Sequence, residues 1–230
     1  SVFYKLKIIY LNNIILYYLN MDTALIGFGK IGKIHFMNIV KNKKFKLKYI
    51  CEKEMHIFDN ISHYDMLKMY ELTITDDIEK IYNDTSLKAI IVCTPTFTHF
   101  DIVKRALENK INVFVENPLS LDLTEIKECY DIAKQNSLIL FVGYNRRFDN
   151  NIIKFKKLVD DNLLGEINYI TTTSREYPKL EYLKISGGIF HDCAVHDIDY
   201  VNWALGELPK TVYVTGTITE GKDKNNSNLD

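Results

Sequence analysis

The 230 residues are 47% hydrophobic and 26% charged, and their formal net charge is −1. This is an ordinary soluble globular composition, long enough for one large or two small domains. Lysines and arginines are scattered rather than striped, which gives no support to nucleic acid or an anionic membrane as a partner.

Ser1 to Asn20 contains an apolar run, Ile8 to Leu19, broken by Asn12 and Asn13 and too short and polar to span a bilayer. Met21 is read as the natural start, and 1–20 as an extension of uncertain role. Thr23–Ile26 then reads as a strand and leads into Gly27-Phe28-Gly29-Lys30-Ile31-Gly32. A helix follows over Ile31–Val40, with Ile31, Ile34, Ile39 and Val40 taken as one side of it. A second strand runs to Cys51 and ends in Glu52, about 20 residues past the glycines, the spacing of a dinucleotide site. In that arrangement Gly27 permits a tight turn, Gly29 lets backbone approach a pyrophosphate, and Gly32 lets helix and strand pack closely. The helix N-terminus offers free N–H groups to phosphates, and Glu52 can accept from ribose hydroxyls.

Further strands are expected at Lys88–Cys93, Asn112–Val115 and Leu138–Val142, and helices at Tyr64–Glu71, Ile78–Tyr82, Phe97–Glu108 and Leu123–Gln135. Asp122 reads as the N-cap of the last of these, with Glu125 bonding back to it. The alternation means an α/β doubly wound parallel sheet, a Rossmann-type domain over 21–142. The character changes after Gly143. Residues 143–230 read as part of an α+β domain, with helices at Asn151–Asp160 and Asp192–Leu205, the latter stopped by Gly206. Strands are expected there at Glu166–Thr173 and Thr211–Thr219. The four cysteines, Cys51, Cys93, Cys129 and Cys193, form no CxxC pair and read as free thiols in a reducing, cytoplasmic compartment.

Several segments converge: Cys93-Thr94-Pro95 with His99 after it, Glu116-Asn117-Pro118, Gly143-Tyr144-Asn145-Arg146-Arg147-Phe148-Asp149, and Gly187-Gly188 before Asp192 and His196. With the glycine motif they resemble the glucose-fructose oxidoreductase / inositol dehydrogenase / rhizopine-catabolism (Gfo/Idh/MocA) oxidoreductases, most of all the inositol 2-dehydrogenase-like branch. The resemblance implies a Rossmann domain followed by an open-sheet α+β domain, here truncated, and for a full-length protein a homo-oligomer. It implies that Gly27, Phe28, Gly29, Lys30, Ile31, Gly32, Glu52, Thr94, Pro95, His99 and Glu116 bind a nicotinamide cofactor. The acid at Glu52 favours NAD, and Lys53 beside it leaves NADP possible.

Asp192 and His196 match the family's catalytic pair. Four residues apart on a helix, they share a face, and a histidine suits the removal of an alcohol proton near neutral pH. Spacing alone favours a surface pair or a helix-start cap, and it is the resemblance that turns the reading to catalysis. A metal site from His191, Asp192, His196 and Asp197 is not expected, because the first two point differently. The family's usual Glu-Lys-Pro is Glu116-Asn117-Pro118 here, so Asn117 replaces a lysine thought to polarise the reacting oxygen. Two functions therefore compete. One is hydride transfer between the cofactor and a CH–OH group of a polyol, cyclitol or sugar. The other is a catalytically impaired dinucleotide-binding protein.

Overall fold

The computed structural model describes residues 21–59, 67, 70–175 and 188–217. The chain divides into two compact units between Val142 and Gly143. In the first, β1 (Met21–Ile26), α1 (Lys30–Lys41), β2 (Phe45–Cys51), β3 (Thr73–Thr75), α2 (Glu79–Tyr82), β4 (Ala89–Val92), α3 (His99–Glu108), β5 (Asn112–Glu116), α4 (Leu123–Gln135) and β6 (Leu140–Gly143) follow in order. The six strands form one sheet in the order β3-β2-β1-β4-β5-β6. The pairs β1–β2, β1–β4, β2–β3 and β4–β5 are parallel. Strand order reverses between β1 and β4, so a crevice opens beyond their carboxyl ends.

The near-continuous apolar strands are explained by burial on both faces. Ala24, Ile26, Ile90 and Val92 point into one core with Val103, Leu107 and Cys129 of α3 and α4. Their neighbours Leu25 and Ile91 point into the other, with Phe36, Ile39 and Ile50. The two faces thus draw on alternate residues of the same strands.

The buried side of α1 is Gly32, Phe36 and Ile39, whereas Ile31 and Ile34 are 42% and 52% exposed. This corrects the apolar side expected from sequence. Gly32 lies against the Gly27 carbonyl, and that contact sets how the helix is turned on the sheet. Asp122 caps α4 as expected, accepting from the Thr124 N–H at 2.7 Å. Glu125 accepts from the Ser120 hydroxyl instead, while the Asp122 N–H goes to Ser120 Oγ.

The amino ends of the strands are tied by charge. Asp84 accepts from Lys48 (2.5 Å), Tyr49 (2.9 Å) and Ser86 (2.6 Å). Burial pushes its carboxyl up, but these hydrogen bonds outweigh that and hold it well below the usual carboxylate range. A lowered folded-state pKa means stability that is present above the unfolded value near 4 and lost as pH falls below it. Asp84→Asn is therefore expected to cost about 2 kcal/mol at neutral pH. The gap to the parent should narrow steadily as pH falls below about 4 in denaturant melts.

The second unit holds a 3₁₀ turn over Asn145–Phe148, helix α5 (Asn150–Asp160), a π-helical turn over Phe190–Ala194 and helix α6 (Val195–Leu205). Asp149 caps α5, accepting from the Asn151 and Ile152 N–H groups. Gly206, with φ of 72°, ends α6. The strand expected at Glu166–Thr173 is not formed, nor is any over 211–217. Their β-branched residues favour extended backbone, but a strand also needs a neighbour for its N–H and C=O groups. Neither segment has one among the described residues. The expected 1–20 extension, most of the Tyr64–Glu71 helix, Gly187 and 218–230 lie outside the described residues.

Candidate dinucleotide and substrate site

In the first unit, the loops at the carboxyl ends of β1, β2, β4 and β5 carry the candidate residues. The β1–α1 turn is closed by sterics. Gly27 has φ of 91°, a region that disfavours a side chain, and a Cβ there would lie 2.8 Å from the Cys93 carbonyl and 2.9 Å from the Thr94 nitrogen. At Gly32 a Cβ would lie 2.1 Å from the Gly27 oxygen. Gly29 is different, because a Cβ there meets nothing within 4 Å. It faces open space at the start of α1. Gly29 is also the N-cap of α1, and it supplies no side-chain acceptor to the first-turn N–H groups. That turn holds no acid, so these donors and the positive dipole end stay available to an anion. Phe28 is buried, stacked on Phe58 with centroids 5.2 Å apart. Lys30 and Ile31 are exposed at the same helix end.

Glu52 follows β2 and reaches back to this loop. Its Oε2 accepts from the Phe28 N–H at 2.6 Å, and its Oε1 accepts from the Glu54 N–H at 3.0 Å. The carboxylate is thus fixed beside the glycine turn, with further lone pairs still able to accept. Lys53 is exposed next to it.

Thr94 and Pro95 continue from β4 into a 3₁₀ turn, where the Thr98 hydroxyl bonds both Thr94 Oγ1 and the Pro95 carbonyl at 2.7 Å. His99 is buried at the start of α3. Its Nε2 lies 2.7 Å from the Thr94 carbonyl oxygen and its Nδ1 2.7 Å from the Pro118 carbonyl oxygen. A neutral ring donates to one of these; a doubly protonated ring donates to both. Beyond β5, Asn117 Oδ1 is buried and has no hydrogen-bond partner. An unmet buried acceptor costs about 1–3 kcal/mol, which a ligand N–H or O–H would recover. Glu116, its neighbour, has Oε1 2.5 Å from Nε2 of His35 on α1. The sequence reading missed His35. The available signal was a polar residue three positions after Gly32, beside the packed side of the helix.

In the second unit, Asp192 lies in the π-helical turn and His196 in the first turn of α6. His196 Nδ1 is buried and unpartnered. The Asp192 carboxylate accepts from Cys193 Sγ at 3.7 Å, and it does not bond the imidazole. The orienting contact expected between Asp192 and His196 is thus not made. Sequence reasoning gave Arg147 no role, yet its guanidinium grips Asp199 of α6 twice, from Nε to Oδ2 at 2.8 Å and from Nη2 to Oδ1 at 2.5 Å. It also lies over the rings of Tyr144 and Trp203. This bidentate pair locks the 145–148 turn to the helix that carries His196. No three His, Cys, Asp or Glu side chains among the described residues gather as a metal site would. The four cysteines are free, and burial pushes the thiols of Cys51 and Cys129 up to about 11 and about 12. No described helix is long and apolar enough to cross a membrane.

The sheet order, the glycine turn and the acid after β2 define a dinucleotide-binding α/β protein. Residues 21–144 match the model of the oxidoreductase family with an NAD-binding Rossmann fold, and 152–229 match the GFO/IDH/MocA C-terminal domain. The chain belongs to the Gfo/Idh/MocA oxidoreductase family. It is 33% identical over 198 residues to inositol 2-dehydrogenase of Rhizobium meliloti, covering 85% of this chain and 58% of that protein. It is 32% identical over 204 residues to myo-inositol 2-dehydrogenase of Thermotoga maritima, covering 86% and 59%. The crystal structure of apo scyllo-inositol dehydrogenase from Lactobacillus casei is similar at a TM-score of 0.69 and 27% identity, covering 82% of this chain and 56% of that one. The chain thus spans little more than half the length of the relatives it matches.

Proposed function

We propose that this chain carries the cofactor and substrate machinery of an NAD-dependent oxidoreductase acting on a CH–OH group of a polyol, cyclitol or sugar. The observation that carries the reading is the Glu52 carboxylate held by the Phe28 N–H beside an uncapped helix N-terminus. The residues present fit a nicotinamide dinucleotide. Gly29 leaves room for a pyrophosphate, the first turn of α1 supplies its donors, and Glu52 accepts from ribose hydroxyls. Thr94, Pro95, His99 and Glu116 line the ends of the neighbouring strands, and Asn117 offers an unmet acceptor. When bound, the nicotinamide supplies the hydride acceptor.

The remaining chemistry belongs to side chains. His196 takes the hydroxyl proton, a task for which its buried, unpartnered nitrogen is available. Asp192 holds a neighbouring substrate hydroxyl, because its carboxylate is not engaged by the ring. Asn117 contributes a neutral hydrogen bond at the position where the resemblance implies a lysine. The inositol dehydrogenases among the relatives support a cyclitol or related polyol as substrate.

The test is NAD(P)-linked turnover of a full-length protein across cyclitols, polyols and sugars. Turnover of one class is expected, and no turnover on any would contradict the reading. An acid fixed by two backbone N–H groups also repels a 2′-phosphate. NADH is expected to bind about tenfold more tightly than NADPH, the size of one like-charge contact near a surface. A tighter NADPH complex in equilibrium titration would assign Lys53 the larger influence. A second reading, dinucleotide binding without catalysis, is favoured by one observation, the neutral Asn117 at the lysine position.

A further inference from the structure

Asn117 stands between two anchored neighbours. On one side, Glu116 Oε1 meets His35 Nε2 at 2.5 Å, and the His35 ring rests on Phe114 of the same strand with centroids 5.1 Å apart. On the other side, the Pro118 carbonyl oxygen lies 2.7 Å from His99 Nδ1, while the opposite edge of that buried ring meets the Thr94 carbonyl oxygen. His35 belongs to α1, the helix whose N-terminus faces the glycine turn. His99 opens α3 and follows the turn after β4. The two histidines therefore tie the end of β5 to the two other elements that frame the crevice.

We propose that His35 and His99 are positioning residues that bracket Asn117 and hold its amide toward the nicotinamide end of the cofactor. The proposal rests on the dinucleotide reading above. Its physical content is preorganisation. A buried amide oxygen with no partner is unfavourable, and a loose 116–118 segment would turn it toward water. Anchors on both adjacent residues remove that freedom, so a ligand donor meets an acceptor already in place. The bracket also explains why Glu116 faces His35: its carboxylate acts on the cofactor through the backbone it secures.

The test compares two ligands on the full chain, NADH and ADP-ribose, which shares the adenosine, pyrophosphate and second ribose but lacks the nicotinamide. His35→Ala is expected to weaken NADH about tenfold and to leave ADP-ribose within about twofold, the loss of one hydrogen-bonded anchor. His35→Gln retains an N–H donor for Glu116 and should restore most of the NADH affinity. His99→Leu, which removes both ring nitrogens from the Pro118 and Thr94 carbonyl oxygens, should also weaken NADH selectively. If His35→Ala does not fold by circular dichroism, Glu116→Asp, which keeps the charge but shortens the reach, should give the same separation. Equal weakening of both ligands, or unchanged NADH affinity, would overturn the bracket while leaving the dinucleotide reading intact. A parent chain that binds neither ligand would overturn both.

Discussion

Replacing Asn117 by lysine is expected to raise NAD-linked turnover of a full-length protein by about 10² to 10³-fold, the usual value of one well-placed electrostatic group. In the proposed reaction the oxygen gains negative charge as His196 takes its proton, before the hydride leaves the carbon, and a cation near it would stabilise that charge. The Asn117 amide is neutral and cannot exchange a proton. Its Oδ1 is already buried without a partner, so the position is shielded from water, where a charge acts most strongly. The gain should fall in kcat, with the cofactor affinity little changed, because the group acts as charge develops. Initial rates of NADH formation for parent and variant decide it. An active parent that the substitution slows would make Asn117 a working group of a differently tuned site.

Gly32→Ala should abolish useful cofactor binding. The added methyl carbon would sit 2.1 Å from the Gly27 oxygen, a backbone atom that cannot swing aside. The start of α1 must shift away from the loop, at about 1–3 kcal/mol of stability. A displacement on that scale in a binding turn costs about a hundredfold in affinity. Gly29→Ala provides the contrast. Its φ of −67° and ψ of −162° suit alanine, and the methyl meets no protein atom within 4 Å. Thermal stability should be unchanged, while NADH affinity falls because the methyl occupies the space left for the pyrophosphate. Parallel melts and NADH titrations separate the two. If Gly29→Ala binds as well as the parent, the open space at that turn is not the pyrophosphate seat.

What could be read in the sequence was local. The glycine turn and Glu52 were legible because they lie in one contiguous strand–helix–strand stretch, where Gly32 packs against the Gly27 carbonyl and Glu52 accepts from the Phe28 N–H. The strands of the central sheet were legible because burial on both faces leaves unbroken apolar runs. Thr73–Thr75 was not, since a three-residue edge strand carries no period to detect. The extended segments at 166–173 and 211–217 show the reverse, a strand-like composition with no partner to pair with. Ile31 and Ile34 misled because the glycine contact, rather than apolar count, orients α1. Long-range polar pairs were hidden altogether. His35 and Glu116 are 81 residues apart, and Arg147 and Asp199 are 52. Asp192 and His196 had the spacing of a pair, but the π-helical turn before α6 leaves the aspartate bonded to Cys193 instead.

The most direct test of the central claim is an equilibrium titration of the unsubstituted chain with NADH, followed by fluorescence or calorimetry. Saturable binding at micromolar concentration, lost in Gly32→Ala, is the result expected of a dinucleotide site at the β1–α1 turn. Absence of binding by the folded chain at millimolar NADH would contradict it.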